Sequence, residues 1–227
     1  MSRLEEQVQQ HALMIAELIR LAQQPVKEHD HTVLDSLEVT KRFKCPAGTD
    51  MYGSGATLYE FYTSGDDSAH PIYGANWGAQ TFTPQQEGHL ISSVKLKLYK
   101  TGSPGPGTVT VSIKSVDGSS EPTGSDLASG TYDGDTLGAT PGALVEITFT
   151  TPYALTVGTE YAIVVRATSG LITKFVGWRN DVGDGTYSGG SMCVSTNSGS
   201  TWTVASGYDF MFEEYGTELN VGTEWIE

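Results

Sequence analysis

The sequence has few cysteines, few basic residues and no long hydrophobic run, and each shortage excludes a class of protein. Only Cys45 and Cys193 are present among 227 residues, which excludes a disulfide-built scaffold and matches no zinc motif, while leaving open whether the two pair. No stretch approaches the roughly 18 uncharged apolar residues of a membrane span. A net charge of −14, from 13 basic and 27 acidic residues, disfavours binding to nucleic acid.

Motifs of catalysis are also missing from the sequence. All five histidines lie before residue 90, which argues against a Ser-His-Asp hydrolase on the C-terminal part of the chain. No Gly-x-Ser-x-Gly elbow occurs, and Gly183-x-Gly185 lacks the third glycine and the helix of a phosphate-binding loop. We therefore expect no catalytic residues and no enzyme activity. A pair of carboxylates that cleaves glycosides remains the alternative, because their separation is invisible in sequence.

Glycine and short alternating segments are abundant instead. The chain holds 27 Gly, and apolar and polar residues alternate with a period of two in several segments, which is typical of half-buried strands. These segments are 94–99, 109–114, 145–149, 161–166 and 208–213. Turn signals such as Asp117-Gly118 and Pro141-Gly142 separate them. The pattern predicts a mainly β domain over residues 77–216, an antiparallel β-sandwich with jelly-roll strand order.

The first 25 residues have a different character. The first 24 contain no Gly or Pro, Ser2 and Glu5 form a capping box, and Pro25 ends the segment, so the sequence predicts an α-helix. Its apolar residues follow the spacing of a coiled coil. They are Leu4, Val8, Ile15, Leu18 and Ala22, with His11 between them. We expect this helix to drive homo-oligomerisation, as a trimer, or to anchor the chain on another protein; the alternative is packing on its own domain.

Residues 26–76 and 217–227 show little periodicity. The first range carries a charged stretch at 27–31, several glycines and one short strand signal near Leu58–Tyr62. Long irregular segments are uncommon inside compact domains, so we interpret this range as an extended arm on neighbouring subunits and 217–227 as a tail. The N-terminus lacks the pattern of a secretory signal peptide, which predicts folding in the cytoplasm that makes the chain.

The predicted sandwich resembles a known type of domain. The stretch from Ile72 to Gly216 contains the runs YGANWGAQTFTP and YSGGSMCVSTNSGSTWTVASGYDFMFEEYG. Its most specific parts are Ala79–Pro84, the Ser195–Trp202 hairpin and Tyr208–Tyr215. It resembles a jelly-roll β-sandwich, similar to carbohydrate-binding modules, that recurs in phage virion proteins and prokaryotic surface proteins. The resemblance implies a non-catalytic display or binding domain and assigns no ligand residues.

Together these features predict a virion structural protein assembled in the host cytoplasm. Capsid decoration, a head fibre or a tail appendage all fit, with the helix and arm bound to capsid or tail proteins and the sandwich contacting host surface glycans. The sequence does not distinguish head from tail. The alternative is a carbohydrate-binding module of a bacterial surface or secreted protein.

Two groups of residues are candidates for ligand binding. For glycans, the loop-like run Trp178, Arg179, Asn180 and Asp181 combines a stacking face with hydrogen-bonding groups, and Trp202 follows a hairpin tip. For a structural calcium ion, oxygen ligands lie near glycine turns. They are Asp133, Asp135, Asp181 and Asp184. The tryptophans are equally compatible with core packing, and the acids with ordinary turns.

Overall fold

The structure is a computed structural model that describes residues 56–85 and 88–219. The chain divides into two compact units, residues 1–53 and 54–227, and the first lies outside the described residues. The predicted helix and its seam therefore remain predictions, as does any role of Cys45. Within the described ranges the chain is mainly β, and none of them contains a helix long and apolar enough to span a membrane.

Thirteen strands are present among the described residues. In chain order they are β1 (Thr57–Tyr62), β2 (Ser68–Ile72), β3 (Trp77–Phe82), β4 (His89–Lys100), β5 (Thr108–Val116), β6 (Pro122–Asp133), β7 (Ala143–Ala154), β8 (Tyr161–Arg166), β9 (Val176–Val182), β10 (Met192–Ser195), β11 (Thr203–Ala205), β12 (Tyr208–Phe210) and β13 (Phe212–Glu218). A single 3-10 turn, Gly134–Thr136, follows β6.

The strands form two antiparallel sheets. The seven-stranded sheet has the order β1-β13-β4-β9-β12, with β2 also paired to β9 and β7 to β4. The six-stranded sheet has the order β11-β10-β3-β8-β5-β6. The prediction of a mainly β chain with two antiparallel sheets is confirmed.

Alternate residues of the strands fill the main core. Leu96 and Trp178 of the seven-stranded sheet belong to the same buried cluster as Val111 and Ile163 of the six-stranded sheet. Because successive side chains of a strand point to opposite faces, the neighbours of these residues face away from that core. On the six-stranded sheet those neighbours make a second, smaller cluster. It comprises Ala79, Ala162, Val164, Cys193 and Trp202.

Cys193 is buried in this second cluster and forms no disulfide with any residue that the structure describes. Burial raises its pKa to about 12, with the nearby acids Glu160 and Glu121 acting in the same direction. A thiol with so high a pKa is inert at neutral pH, which makes Cys193 a packing residue.

A buried pair of side chains joins β4 to β13. His89 Nε2 lies 2.9 Å and 3.0 Å from the two carboxylate oxygens of Glu214, and both side chains are fully buried. The ring of Tyr59 stacks on His89 with 3.6 Å between centroids. Burial raises the pKa of Glu214, and His89 offsets only part of that rise. Loss of either side chain would leave the other buried without this hydrogen-bond partner, which destabilises the domain.

The sheet-forming part of the chain begins earlier than the predicted boundary at residue 77. Residues 57–62 pair with β13, and residues 68–72 pair with β9, so both segments belong to the seven-stranded sheet. This corrects the boundary of the arm, which was drawn at residue 76. Their periodicity is weak because β2 is half-buried at its first four positions and β1 is interrupted by a register shift between Leu58 and Phe61.

The segment 208–213, predicted as one strand, changes partner in the middle. Residues Tyr208–Phe210 pair with β9, whereas Phe212 onward pairs with β4. Met211 lies at the break, and its N–H donates to the carbonyl of Arg179 at 2.9 Å. The apolar alternation continues through the break, so the sequence pattern does not reveal it.

Candidate functional site

A cleft of about 350 Å³ lies on the outer face of the six-stranded sheet, and we call it the tryptophan cleft. Its walls come from the start of β3, the end of β8, the β5–β6 turn and the β10–β11 hairpin. The residues that define it are Trp77, Lys114, Asp117, Glu121, Arg166 and Trp202. The volume is at the lower end of the range of about 300–1,000 Å³ for small-molecule sites.

Two tryptophans and a glycine form one wall of the cleft. Trp77 is half-buried and its Nε1 donates to the carbonyl of Gly74 at 3.0 Å, which fixes the plane of the ring. Trp202 is 8% exposed and belongs to the second, smaller cluster of the six-stranded sheet. Gly199, with φ of 77°, lies against both rings: a Cβ there would be 2.8 Å from Trp77 and 3.4 Å from Trp202. The hairpin sequence therefore requires glycine to bring its backbone onto these rings.

Charged side chains form the other wall. The guanidinium of Arg166 lies 5.5 Å from the centre of the Trp77 ring, donates to Ser112 Oγ at 2.9 Å and pairs with Asp126. Lys114 is 3.2 Å from the same aspartate. Burial works to raise the pKa of Asp126, but hydrogen bonds from Arg166, Ser112 and Lys114 outweigh it, so its pKa is lowered. Asp126 thus holds both cations in place beside the tryptophan.

The acid at the β5–β6 turn has a structural task. Asp117 Oδ1 accepts from the backbone N–H of Ser119 at 2.8 Å and of Glu121 at 3.1 Å. This is the side-chain hydrogen bonding by which Asp stabilises turns. The arrangement offers an aromatic face, fixed cations and acceptor groups around one concavity, which suits a ligand with both apolar and polar faces.

The run Trp178–Asp181, predicted to be a surface platform, lies in β9 inside the sheet. Trp178 is fully buried, stacks on Phe210 with 4.0 Å between ring centres, and donates from Nε1 to the carbonyl of Met211 at 2.9 Å. Asn180 and Asp181 are each 3% exposed. These three residues therefore present no face to a glycan, and that interpretation is wrong for them. The reason is that both faces of β9 are covered there: Trp178 packs in the main core, and Tyr62 and Gly65 lie against Asp181.

The other two residues predicted to bind glycan are Arg179 and Trp202, and only Trp202 lies at a cleft. The side chain of Arg179 is only slightly exposed and its Nε and Nη2 are taken up by Asp66, through its carboxylate and its carbonyl. Trp202 is the one member of the predicted set that lines the tryptophan cleft. Trp77, which sequence reasoning left without a role, is its partner there. Trp77 reaches Trp202 because β3 pairs with β10, and no signal in the sequence specifies that pairing.

The four predicted calcium ligands separate into two groups. Asp133 Oδ1 accepts from the N–H of Asp135 at 3.0 Å, and Asp135 Oδ1 accepts from the N–H of Gly107 at 2.9 Å. Asp133 thereby stabilises the turn after β6 as an ordinary Asx turn does, whereas Asp135 joins that turn to the β4–β5 loop. Asp181 and Asp184 lie elsewhere, next to Asp67 from the β1–β2 loop. Sequence reasoning missed Asp67 because it assigned that residue to the arm.

No protein-family model matches this chain, and no curated protein matches it either. The functional assignment therefore depends on the fold, the tryptophan cleft and the acidic residues described above.

Proposed function

We propose that the chain is a non-enzymatic virion structural protein whose two-sheet domain, with jelly-roll strand order, displays a glycan-binding cleft. The observation that carries the proposal is the tryptophan cleft, in which Trp77 and Trp202 stand beside Arg166 and Lys114. Sugar rings bind through their C–H faces to aromatic rings and through their hydroxyls to charged and amide groups. The cleft supplies both kinds of surface within one concavity.

Display rather than turnover is supported by the tasks of two acids at the cleft, Asp117 and Asp126. Asp117 fixes a turn through two backbone N–H groups, and Asp126 is paired with Arg166 and Lys114. A glycosidase needs one carboxyl kept protonated and a second kept ionised across the scissile bond. Acids committed to structural contacts are poorly suited to those roles.

The anchoring part of the proposal comes from the sequence. The helix predicted for residues 1–25 would assemble the chain as a trimer and hold it on capsid or tail proteins. The protein would then be a capsid decoration, a head fibre or a tail appendage. Mass spectrometry of purified particles tests this part. We expect the chain in every particle in a fixed copy number, and its recovery only from the bacterial envelope or medium would instead favour a carbohydrate-binding module of a surface or secreted protein.

Glycan binding is tested with an array of bacterial surface polysaccharides probed with the full-length chain. We expect binding to a small set of related glycans, and its loss in Trp77→Ala. The matched control is Phe61→Ala, since Phe61 is an aromatic residue that is 52% exposed and lies on β1 of the other sheet. Equal loss in both variants, or no glycan bound by the wild type, would contradict the proposal.

A further inference from the structure

We propose that Asp67, Asp181 and Asp184 bind a calcium ion that joins the β1–β2 loop to the end of β9 and the β9–β10 loop. One carboxylate oxygen from each of the three residues lies within 4.8 Å of the others. We call these residues the acidic cluster. The site is separate from the tryptophan cleft and does not depend on the function proposed for that cleft.

The buried member of the cluster has an unsatisfied oxygen. Asp181 is 3% exposed, and its Oδ2 accepts from the hydroxyl of Tyr62 at 2.5 Å. Its Oδ1 is buried and accepts no hydrogen bond from any of the described residues. A buried ionised carboxylate with a free oxygen is costly unless a cation or donor satisfies it. A bound cation supplies that partner.

The cluster also concentrates negative charge, because three carboxylates meet in one place. Asp66, the residue before Asp67, pairs with both Lys97 and Arg179. Asp209 adds a further carboxylate directly across the β-ladder from Asp181. Such repulsion between like charges is what a divalent ion relieves.

The surrounding backbone holds the three carboxylates in position. Gly65 has φ of 68° and lies so close to Asp181 that a Cβ would be 1.9 Å from Oδ2. The pairing of Asp66 with Lys97 and Arg179 fixes the residue before Asp67. The hydroxyl of Tyr62 accepts from the N–H of Thr186 at 3.2 Å and so ties the β9–β10 loop to Asp181. The cluster is thus preorganised from three separate segments.

The ligand chemistry selects calcium. All three donors are carboxylates, the hard oxygen ligands that Ca²⁺ prefers, and the cluster contains neither the His nor the Cys that zinc sites use. Ca²⁺ binds oxygens at about 2.3–2.6 Å, so oxygens on opposite sides of one ion are roughly 5 Å apart. The spacing within the cluster fits this geometry. Mg²⁺ needs shorter bonds and retains most of its water, so a cluster of carboxylates with this spacing suits it less well than Ca²⁺.

Calorimetric titration of CaCl₂ into the full-length, EDTA-treated chain tests the proposal. We expect one equivalent of Ca²⁺ to bind and a rise in Tm of roughly 5–10 °C at a hundredfold excess over Kd. Asp67→Asn and Asp184→Asn, both at exposed positions, should each weaken binding by about tenfold or more while the chain stays folded.

The matched control is Asp135→Asn, which removes the same charge and retains the acceptor for the N–H of Gly107. It should bind Ca²⁺ as the wild type does. The proposal is overturned if no heat or Tm shift appears with Ca²⁺, if Asp135→Asn weakens binding as much as the cluster variants do, or if MgCl₂ binds equally well.

Discussion

Replacing Trp178 by alanine tests whether this residue belongs to the core or to a glycan-binding surface. Trp→Ala in a core typically costs about 3–5 kcal/mol. Trp178 belongs near the upper end, because it is fully buried, stacks on Phe210 at 4.0 Å and donates to the carbonyl of Met211. At roughly 2–4 °C per kcal/mol for a chain of this size, the Tm should fall by roughly 8–20 °C.

The assay is thermal unfolding of the full-length chain followed by circular dichroism. Trp178→Phe should give an intermediate loss, because it retains an aromatic ring beside Phe210 but loses the indole N–H. Trp77→Ala, at a half-buried position, should cost less than Trp178→Ala. A Tm for Trp178→Ala within about 3 °C of the wild type would refute the placement of this residue in the core.

Three further predictions concern pH, the buried pair and assembly. Burial lowers the pKa of His70 below its ordinary 6.5, so this residue contributes stability above pH 6.5 that is lost as the pH falls towards the lowered value. His70→Gln should therefore flatten the dependence of Tm on pH between about 7 and 5. Glu214→Leu removes the acceptor of His89 Nε2 and should lower the free energy of unfolding by about 1–3 kcal/mol in urea titrations. Deletion of residues 1–24 should convert an oligomer into a folded monomer by light scattering, and a monomeric full-length chain would contradict this.

Periodicity was sufficient to predict the strands that have one buried and one exposed face. The segments around Leu96 and Ile147 alternate in burial as predicted and supply the core. Periodicity failed where burial does not alternate. β9 is buried at five of its seven positions because the main core covers one face and Tyr62 and Gly65 lie against Asp181 on the other. The sequence of β9 therefore shows no alternation, and Trp178 looked like part of a polar loop.

The candidate sites were only partly predictable for a related reason. Asp181 and Asp184 are close in sequence and were found together, but Asp67 reaches them only through the pairing of β2 with β9. The tryptophan cleft joins Trp77 to Trp202 through β3 and β10. Such contacts depend on strand order, which turn signals and alternation do not specify.

The most direct test of glycan binding in the tryptophan cleft is NMR of the full-length chain labelled with ¹⁵N at its tryptophans. The indole signals are assigned with Trp77→Phe and Trp202→Phe and followed during titration with the glycan that binds best on the array. Because Trp77 and Trp202 line the cleft and Trp178 lies in the core, we predict that the first two signals shift while that of Trp178 does not. Unchanged Trp77 and Trp202 signals at saturating glycan would contradict the account.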